Sequence, residues 1–265
     1  MARHNRRTPV VTRRTRIANS RAIVVNNMHY TLGDIFNFDD DLFRDSTVEV
    51  SNHNITLHDL CSPIEQINKD LKNNQKFLRV AHINARSIPG HVVELIRIIT
   101  ETDCDIIGVS ETFIKNDTPL SRVNIENYNL FTENRTHASQ GGVAFYIKKN
   151  IKVKKMPVPK NINHPELICL ELEVNSTKIA VVCVYKSPRL SYTSFGNIVE
   201  FLADINSKYD NTITMGDFNV CQLDKTTPKY KYLFSNLIQP LSLKQVIDKP
   251  TRIDGARKSL IDLFY

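Results

Sequence analysis

The stretch from Leu167 to Tyr185 constrains the fold more than any other part of this sequence. Ile168, Leu170, Leu172 and Val174 alternate strictly with Cys169, Glu171 and Glu173. That is the period of a strand with two unlike faces. Asn175 and Ser176 then supply the residue types of a tight hairpin turn, and the apolar run Lys178–Tyr185 returns beside the first strand. Around this hairpin, strands are expected at Phe77–Ile83, Asp105–Val109, Gly141–Lys148, Thr212–Met215 and Leu260–Phe264. Helical spacing appears at Val92, Val93, Leu95, Ile96, Ile98 and Ile99, over Phe195–Lys208, and more weakly over Lys229–Leu237. The strand–helix–strand unit at 77–109 predicts two strands running the same way. Buried central strands mixed with helices predict layers: two sheets covered by helices on the outside.

The chain has 265 residues, enough to bury a substantial core. No run of about 18 apolar residues exists, which excludes a membrane-spanning helix. The charge is unevenly placed. Residues 1–22 hold seven arginines and no acid, residues 23–76 hold nine acids and four bases, and residues 77–265 hold 24 bases and 19 acids. The organisation expected is a basic disordered arm (1–22), an acidic polar linker (23–76) with one short helix near Ile64–Leu71, and a folded domain (77–265). The arm fits nucleic-acid contact, nuclear import, a transit peptide or a leader with no role. The five cysteines, Cys61, Cys104, Cys169, Cys183 and Cys221, include no C-x-x-C pair, so reduced thiols are expected.

In layered α/β proteins, polar groups at the C-terminal ends of strands converge on a site. Here those ends offer Asn84, Ser110-Glu111, Tyr185-Lys186 and Gly216-Asp217-Phe218-Asn219, and the last strand contains Asp262. Taken singly, each has an ordinary explanation as a helix cap, turn residue or sheet aromatic. Together they place several carboxylates in one cleft, which requires a cation to neutralise them. Oxygen donors alone favour Mg²⁺ or Mn²⁺ over zinc.

The ordered set Asn84, Ser110-Glu111-Thr112, Gly141-Gly142-Val143-Ala144, Tyr185, Gly216-Asp217-Phe218-Asn219 and Ile261-Asp262-Leu263 resembles the endonuclease/exonuclease/phosphatase superfamily. His82-Ile83-Asn84-Ala85-Arg86-Ser87-Ile88, Pro250-Thr251-Arg252 and Ser259-Leu260-Ile261-Asp262-Leu263 are similar to the endonuclease domains of non-LTR, LINE-type or jockey-like, retrotransposons. The resemblance spans residues 77–265. It implies a four-layer α-β-β-α sandwich of the DNase I type and metal-dependent phosphodiester hydrolysis on DNA. By the same resemblance Glu111 is a metal ligand and Asn84 arranges the metal site. Tyr185 contacts the scissile phosphate, Asp217 prepares the attacking water, Asn219 hydrogen-bonds the phosphate and Asp262 orients a histidine. Arg86, Lys186 and Arg252 are the expected nucleic-acid contacts. The parent protein would carry a reverse transcriptase domain and work in the nucleus.

One departure stands against full activity. The family closes its site with Ser-Asp-His, yet no histidine lies beyond His164. The sequence therefore reads as C-terminally truncated, lacking the last strand or strands of its sheets, with Asp262 left without a histidine and His82 serving only as a structural residue. Three functions follow: an impaired DNA-nicking endonuclease, an inactive nucleic-acid-binding remnant, or a phosphatase or phospholipid phosphodiesterase of the same superfamily.

Overall fold

In the computed structural model, the residues described are 21–25, 28–31, 78–134, 141–162, 167–254 and 256–265. Strands β1 (Arg21–Val25), β2 (Met28–Thr31), β3 (Val80–Asn84), β4 (Ile106–Ser110), β5 (Tyr128–Glu133) and β6 (Val143–Lys148) form one sheet in the order β2-β1-β3-β4-β6-β5. Strands β7 (Lys152–Lys155), β8 (Leu167–Val174), β9 (Thr177–Tyr185), β10 (Thr212–Asp217) and β13 (Asp262–Phe264) form the second, in the order β13-β10-β9-β8-β7. A small separate hairpin joins β11 (Arg252–Asp254) to β12 (Arg257–Ser259). The β3–β4 pair is parallel, as the strand–helix–strand pattern predicts.

Helix α1 (Ile88–Thr102) connects β3 to β4. Ser87 caps it by accepting the Gly90 N–H, Pro89 sits in the first turn where its missing N–H costs nothing, and left-handed Asp103 ends it. Its buried face, Leu95, Ile98 and Ile99, packs with Ala81, Ile83, Ile107 and Val109 from one face of the first sheet. The opposite face, including Val80, Ile106 and Phe145, belongs to a second core with the second sheet and helix α2 (Tyr192–Lys208). Phe195, Ile198, Leu202 and Ile205 of α2 enter that core together with Tyr230 and Leu233 of α3 (Pro228–Leu233). The layers are therefore helix, sheet, sheet, helix.

The central hairpin forms where the alternation places it. Asn175 and Ser176 both take positive φ, 49° and 62°, as a type I′ turn requires. Gly216 is demanded by the close approach of β10 to β9. Its φ is 148°, and a Cβ there would lie 1.9 Å from the Val184 carbonyl oxygen.

Some elements differ from the sequence reading. Residues 21–25 and 28–31, placed there in the arm and linker, form a hairpin whose first strand pairs antiparallel with β3, Ala22 opposite His82. Tertiary pairing supplies what local pattern lacks, since a sheet edge recruits any chain that satisfies its N–H and C=O groups. The rest of the proposed arm and the Ile64–Leu71 helix lie outside the described residues. Strand β7 has no apolar alternation because it is a lysine-rich edge, with Lys152, Lys154 and Lys155 exposed. The weaker predicted helix divides into α3 and a π-turn at Phe234–Ile238. Cys104, Cys169, Cys183 and Cys221 are free thiols. No helix among the described residues is long and apolar enough to cross a membrane.

Candidate active site

The strand ends meet at one end of the sandwich. Parallel pairing sets Asn84 beside Ser110 and Asp217 beside Tyr185, while the antiparallel β10–β13 pair sets Asp217 opposite Asp262. The Asn84 side chain joins the two sheets: its Nδ2 donates to Glu111 Oε1 at 3.0 Å and to Asp217 Oδ2 at 2.9 Å. Asp217 Oδ1 accepts the Asn219 N–H at 2.8 Å, and Asn219 Nδ2 donates to the Lys186 carbonyl at 2.9 Å. Asp217 is thus aimed by one donor on each oxygen.

The backbone is strained around this point. Arg86, Ser87, Glu111, Phe113 and Asn219 all have positive φ, at 46°, 110°, 52°, 51° and 48°. Non-glycine residues adopt such angles only where surrounding contacts hold them, commonly at functional sites. Here the holding contacts are visible: the N–H groups of Ser87 and Ile88 donate to the carbonyls of Glu111 and Thr112.

Asp217 and Asp262 are 2% and 1% exposed. Burial, reinforced by the nearby Glu111 charge, raises the Asp217 carboxyl far above the ordinary range, against the Asn219 and Asn84 hydrogen bonds that pull it down. Burial and then the neighbouring Asp217 raise Asp262 likewise. Arg252, on β11, acts on both in the opposite direction. Among the described residues, neither carboxylate forms an ion pair with lysine or arginine; His82 lies beside Asp262.

Among the described residues, no three acidic, histidine or cysteine side chains close into a metal cage. The donor set nonetheless suits Mg²⁺, which binds through one or two carboxylates, retains waters and accepts substrate oxygens. Half-exposed Glu111 provides the carboxylate, and Asn84 Oδ1, which accepts only the Arg86 N–H at 3.2 Å, keeps a free lone pair. An uncompensated carboxylate cluster supplies the electrostatic reason for a cation there.

Of the residues singled out from sequence, Asn84, Glu111, Tyr185, Lys186, Asp217, Asn219 and Asp262 share this end of the sandwich. Arg86 adjoins it through its backbone, and Arg252 reaches it electrostatically. Two further residues join them. Thr251 is 1% exposed, and its hydroxyl accepts the N–H groups of Ile261 at 3.2 Å and Asp262 at 3.1 Å, fixing where β13 begins. His82, read from sequence as a structural residue with Asp262 left without a histidine, places its Nδ1 3.6 Å from Asp262 Oδ1. That is too long for a hydrogen bond, and among the described residues neither ring nitrogen has another partner, while the Thr251 hydroxyl beside Asp262 pulls against the burial that raises its carboxyl. Burial lowers His82 to about 3, so the ring is neutral. The signal for it was parity: His82 lies two residues before Asn84 and must share its face.

Comparison with known proteins bears on the fold and the family. No curated protein matches the chain in sequence. Among solved structures, the endonuclease domain of TRAS1, a telomere-specific non-LTR retrotransposon, aligns at 15% identity with a TM-score of 0.57, covering 70% of this chain and 82% of that one. An endonuclease/exonuclease/phosphatase from Bacteroides vulgatus aligns at 12% identity and a TM-score of 0.51, covering 71% and 85%. The human Nocturnin catalytic domain aligns at 16% identity and 0.50, covering 71% and 81%. These likenesses show the fold. Residues 81–237, more than half of the chain, match the Endonuclease/Exonuclease/phosphatase family, and the protein belongs to that family.

Proposed function

We propose that this protein is a Mg²⁺- or Mn²⁺-dependent endonuclease that nicks DNA. The observation that carries the reading is the Asn84 amide, which ties Glu111 of one sheet to Asp217 of the other in a cleft of buried, uncompensated carboxylates. A divalent cation held by Glu111 and Asn84 would neutralise charge on the phosphate oxygens. The remaining work falls to the chain itself. Asp217 accepts a proton from the attacking water, and its raised proton affinity suits a base at neutral pH. As the water oxygen bonds to phosphorus, one ester P–O bond breaks and the departing alkoxide takes a proton from solvent water. Tyr185, in register with Asp217, and Asn219 donate to the phosphate oxygens as their charge grows.

The TRAS1 domain is part of a retrotransposon, and we extend that setting to this chain: a nick in nuclear DNA from which a linked reverse transcriptase primes synthesis. Relaxation of supercoiled plasmid tests the proposal. Nicking should require Mg²⁺ or Mn²⁺ and fall by about 10²–10⁴ in Glu111→Ala and Asp217→Ala. Salt-sensitive DNA binding without nicking at any metal concentration would instead identify a binding module. Turnover of phosphomonoesters or phospholipids with intact DNA would assign the third chemistry of the superfamily.

A further inference from the structure

Lys186 is a buried cation whose ammonium forms no ion pair with the carboxylates of the site described above. It follows Tyr185 at the end of β9, is 4% exposed, and its Nζ lies 5.3 Å from the centre of the Phe195 ring. Its backbone is clamped in the site: its N–H donates to the Asp217 carbonyl at 2.8 Å and its carbonyl accepts from Asn219. Its ammonium has no hydrogen-bond acceptor or ion-pair partner among the described residues. Asp217 attracts it, yet among the described residues no hydrogen bond or ion pair joins the two side chains; the Asp217 oxygens accept instead from Asn84 and Asn219.

A second cation stands beside it. Lys229, exposed on α3, reaches over the same loop, its Nζ 3.4 Å from the Pro188 carbonyl. Burial and then the Lys229 charge lower Lys186 to about 8, against the pull of Asp217. Two ammonium groups that reach the same loop, one of them buried, repel each other in the free protein. An aromatic face offsets only part of that cost. The arrangement becomes favourable when an anion with several acceptor oxygens enters between them.

We infer that Lys186 and Lys229 form a subsite for one internucleotide phosphate, the neighbour of the scissile phosphate on the same strand. The inference rests on the nuclease reading and adds to it a specific contact. Lys186 is tied to the groups that handle the scissile phosphate, whereas Lys229 approaches from α3 outside the carboxylate cluster. A strand crossing from Asn219 towards α3 therefore presents its next phosphate to both.

The test measures binding of a short DNA duplex by full-length protein across a salt series, in a Glu111→Gln background without metal. Lys186→Met, Lys229→Met and the double variant are compared, with Lys186→Arg as the charge-retaining control. If both cations share one phosphate, the double variant should lower the slope of log K against log salt by about 0.9. A methylphosphonate replacing that phosphate should weaken the parent protein and leave the double variant unaffected. Lys186→Met should melt no lower than the parent, since an apolar chain replaces an unpaired buried charge. An unchanged slope, or a fall of about 1.8 as for two separate phosphates, overturns the subsite. Plasmid nicking by the protein with Glu111 intact and Mg²⁺ present, alongside an unchanged slope, removes this inference alone. Absence of both DNA binding and nicking removes the nuclease reading and the subsite with it.

Discussion

Strands β3 and β4 carry charged clusters at both ends, and the two clusters are built on opposite principles. At the N-terminal ends, Arg79, Asp103, Asp105 and Lys148 pair two acids with two bases. Arg79 reaches Asp103 at 2.8 Å and Asp105 at 3.5 Å, and Lys148 reaches the same acids at 2.8 and 2.9 Å. Burial alone would raise Asp103, but Lys148 and Arg79 outweigh it and hold the carboxyl below its ordinary range. At the C-terminal ends, Glu111, Asp217 and Asp262 gather without such partners, and Asp217 and Asp262 are pushed up. One end spends its charges on stability. The other holds them in a high-energy arrangement that the proposed cation and phosphate would complete, the contrast expected between a functional site and a structural ion-pair network.

Substitutions should separate the two ends. The largest effect is expected at Asp217: Asp217→Asn should abolish metal-dependent nicking, about 10²–10⁴ in rate, while the metal-free protein melts at or above the parent temperature. Combined plasmid relaxation and calorimetry read both. A lower melting temperature would show that the cluster is stabilising, and the contrast between the ends would collapse.

The next effect belongs to His82. Its distance from Asp262 makes it a positioning residue, so His82→Leu should slow nicking by about 10–100-fold. The loss should fall mainly on kcat with KM little changed, and His82→Asn or His82→Gln should recover part of it. Equal rates in all variants would leave His82 a core residue only.

Asp262→Asn should raise the stability of the metal-free protein at neutral pH by about 1–2 kcal/mol, a few degrees in melting temperature. Between the ordinary carboxylate range and its raised value, Asp262 holds its proton more tightly in the folded state than in the unfolded chain. Parent stability therefore falls as pH rises through that window, and the variant should show a flatter profile. Parallel profiles would mean that Asp262 is not the group responsible.

The smallest effect is expected at the opposite end. Asp105 accepts the Arg79 backbone N–H at 2.8 Å and pairs with both cations, and partial exposure screens those pairs, so Asp105→Asn should cost about 1–2 kcal/mol. Nicking at temperatures well below the melting point should be unchanged. A loss of activity would connect the two ends energetically.

The alternation at Leu167–Val174, the turn at Asn175-Ser176 and the apolar face of α1 were legible because each depends on local period and local turn chemistry. Asn84, Glu111, Tyr185, Asp217, Asn219 and Asp262 were legible for a related reason: in a layered α/β protein a strand's end predicts which polar residues converge. Edge elements were not. Residues 21–25 and 28–31 and lysine-rich β7 take their structure from the strands they pair with, and β1 pairs with β3 some way along the chain.

The sequence by itself therefore determined the layers, the strand ends and the residue types offered there, since periodicity and turn preference are properties of short segments. Only the tertiary structure decided the partnerships. That Asn84 reaches Asp217, 133 residues away, as well as Glu111, that His82 faces Asp262, and that Lys186 is buried at the end of β9 all depend on how the sheets and helices stack. Stacking sets distances between side chains from separate strands, and those distances set desolvation and Coulomb energies that no local pattern encodes.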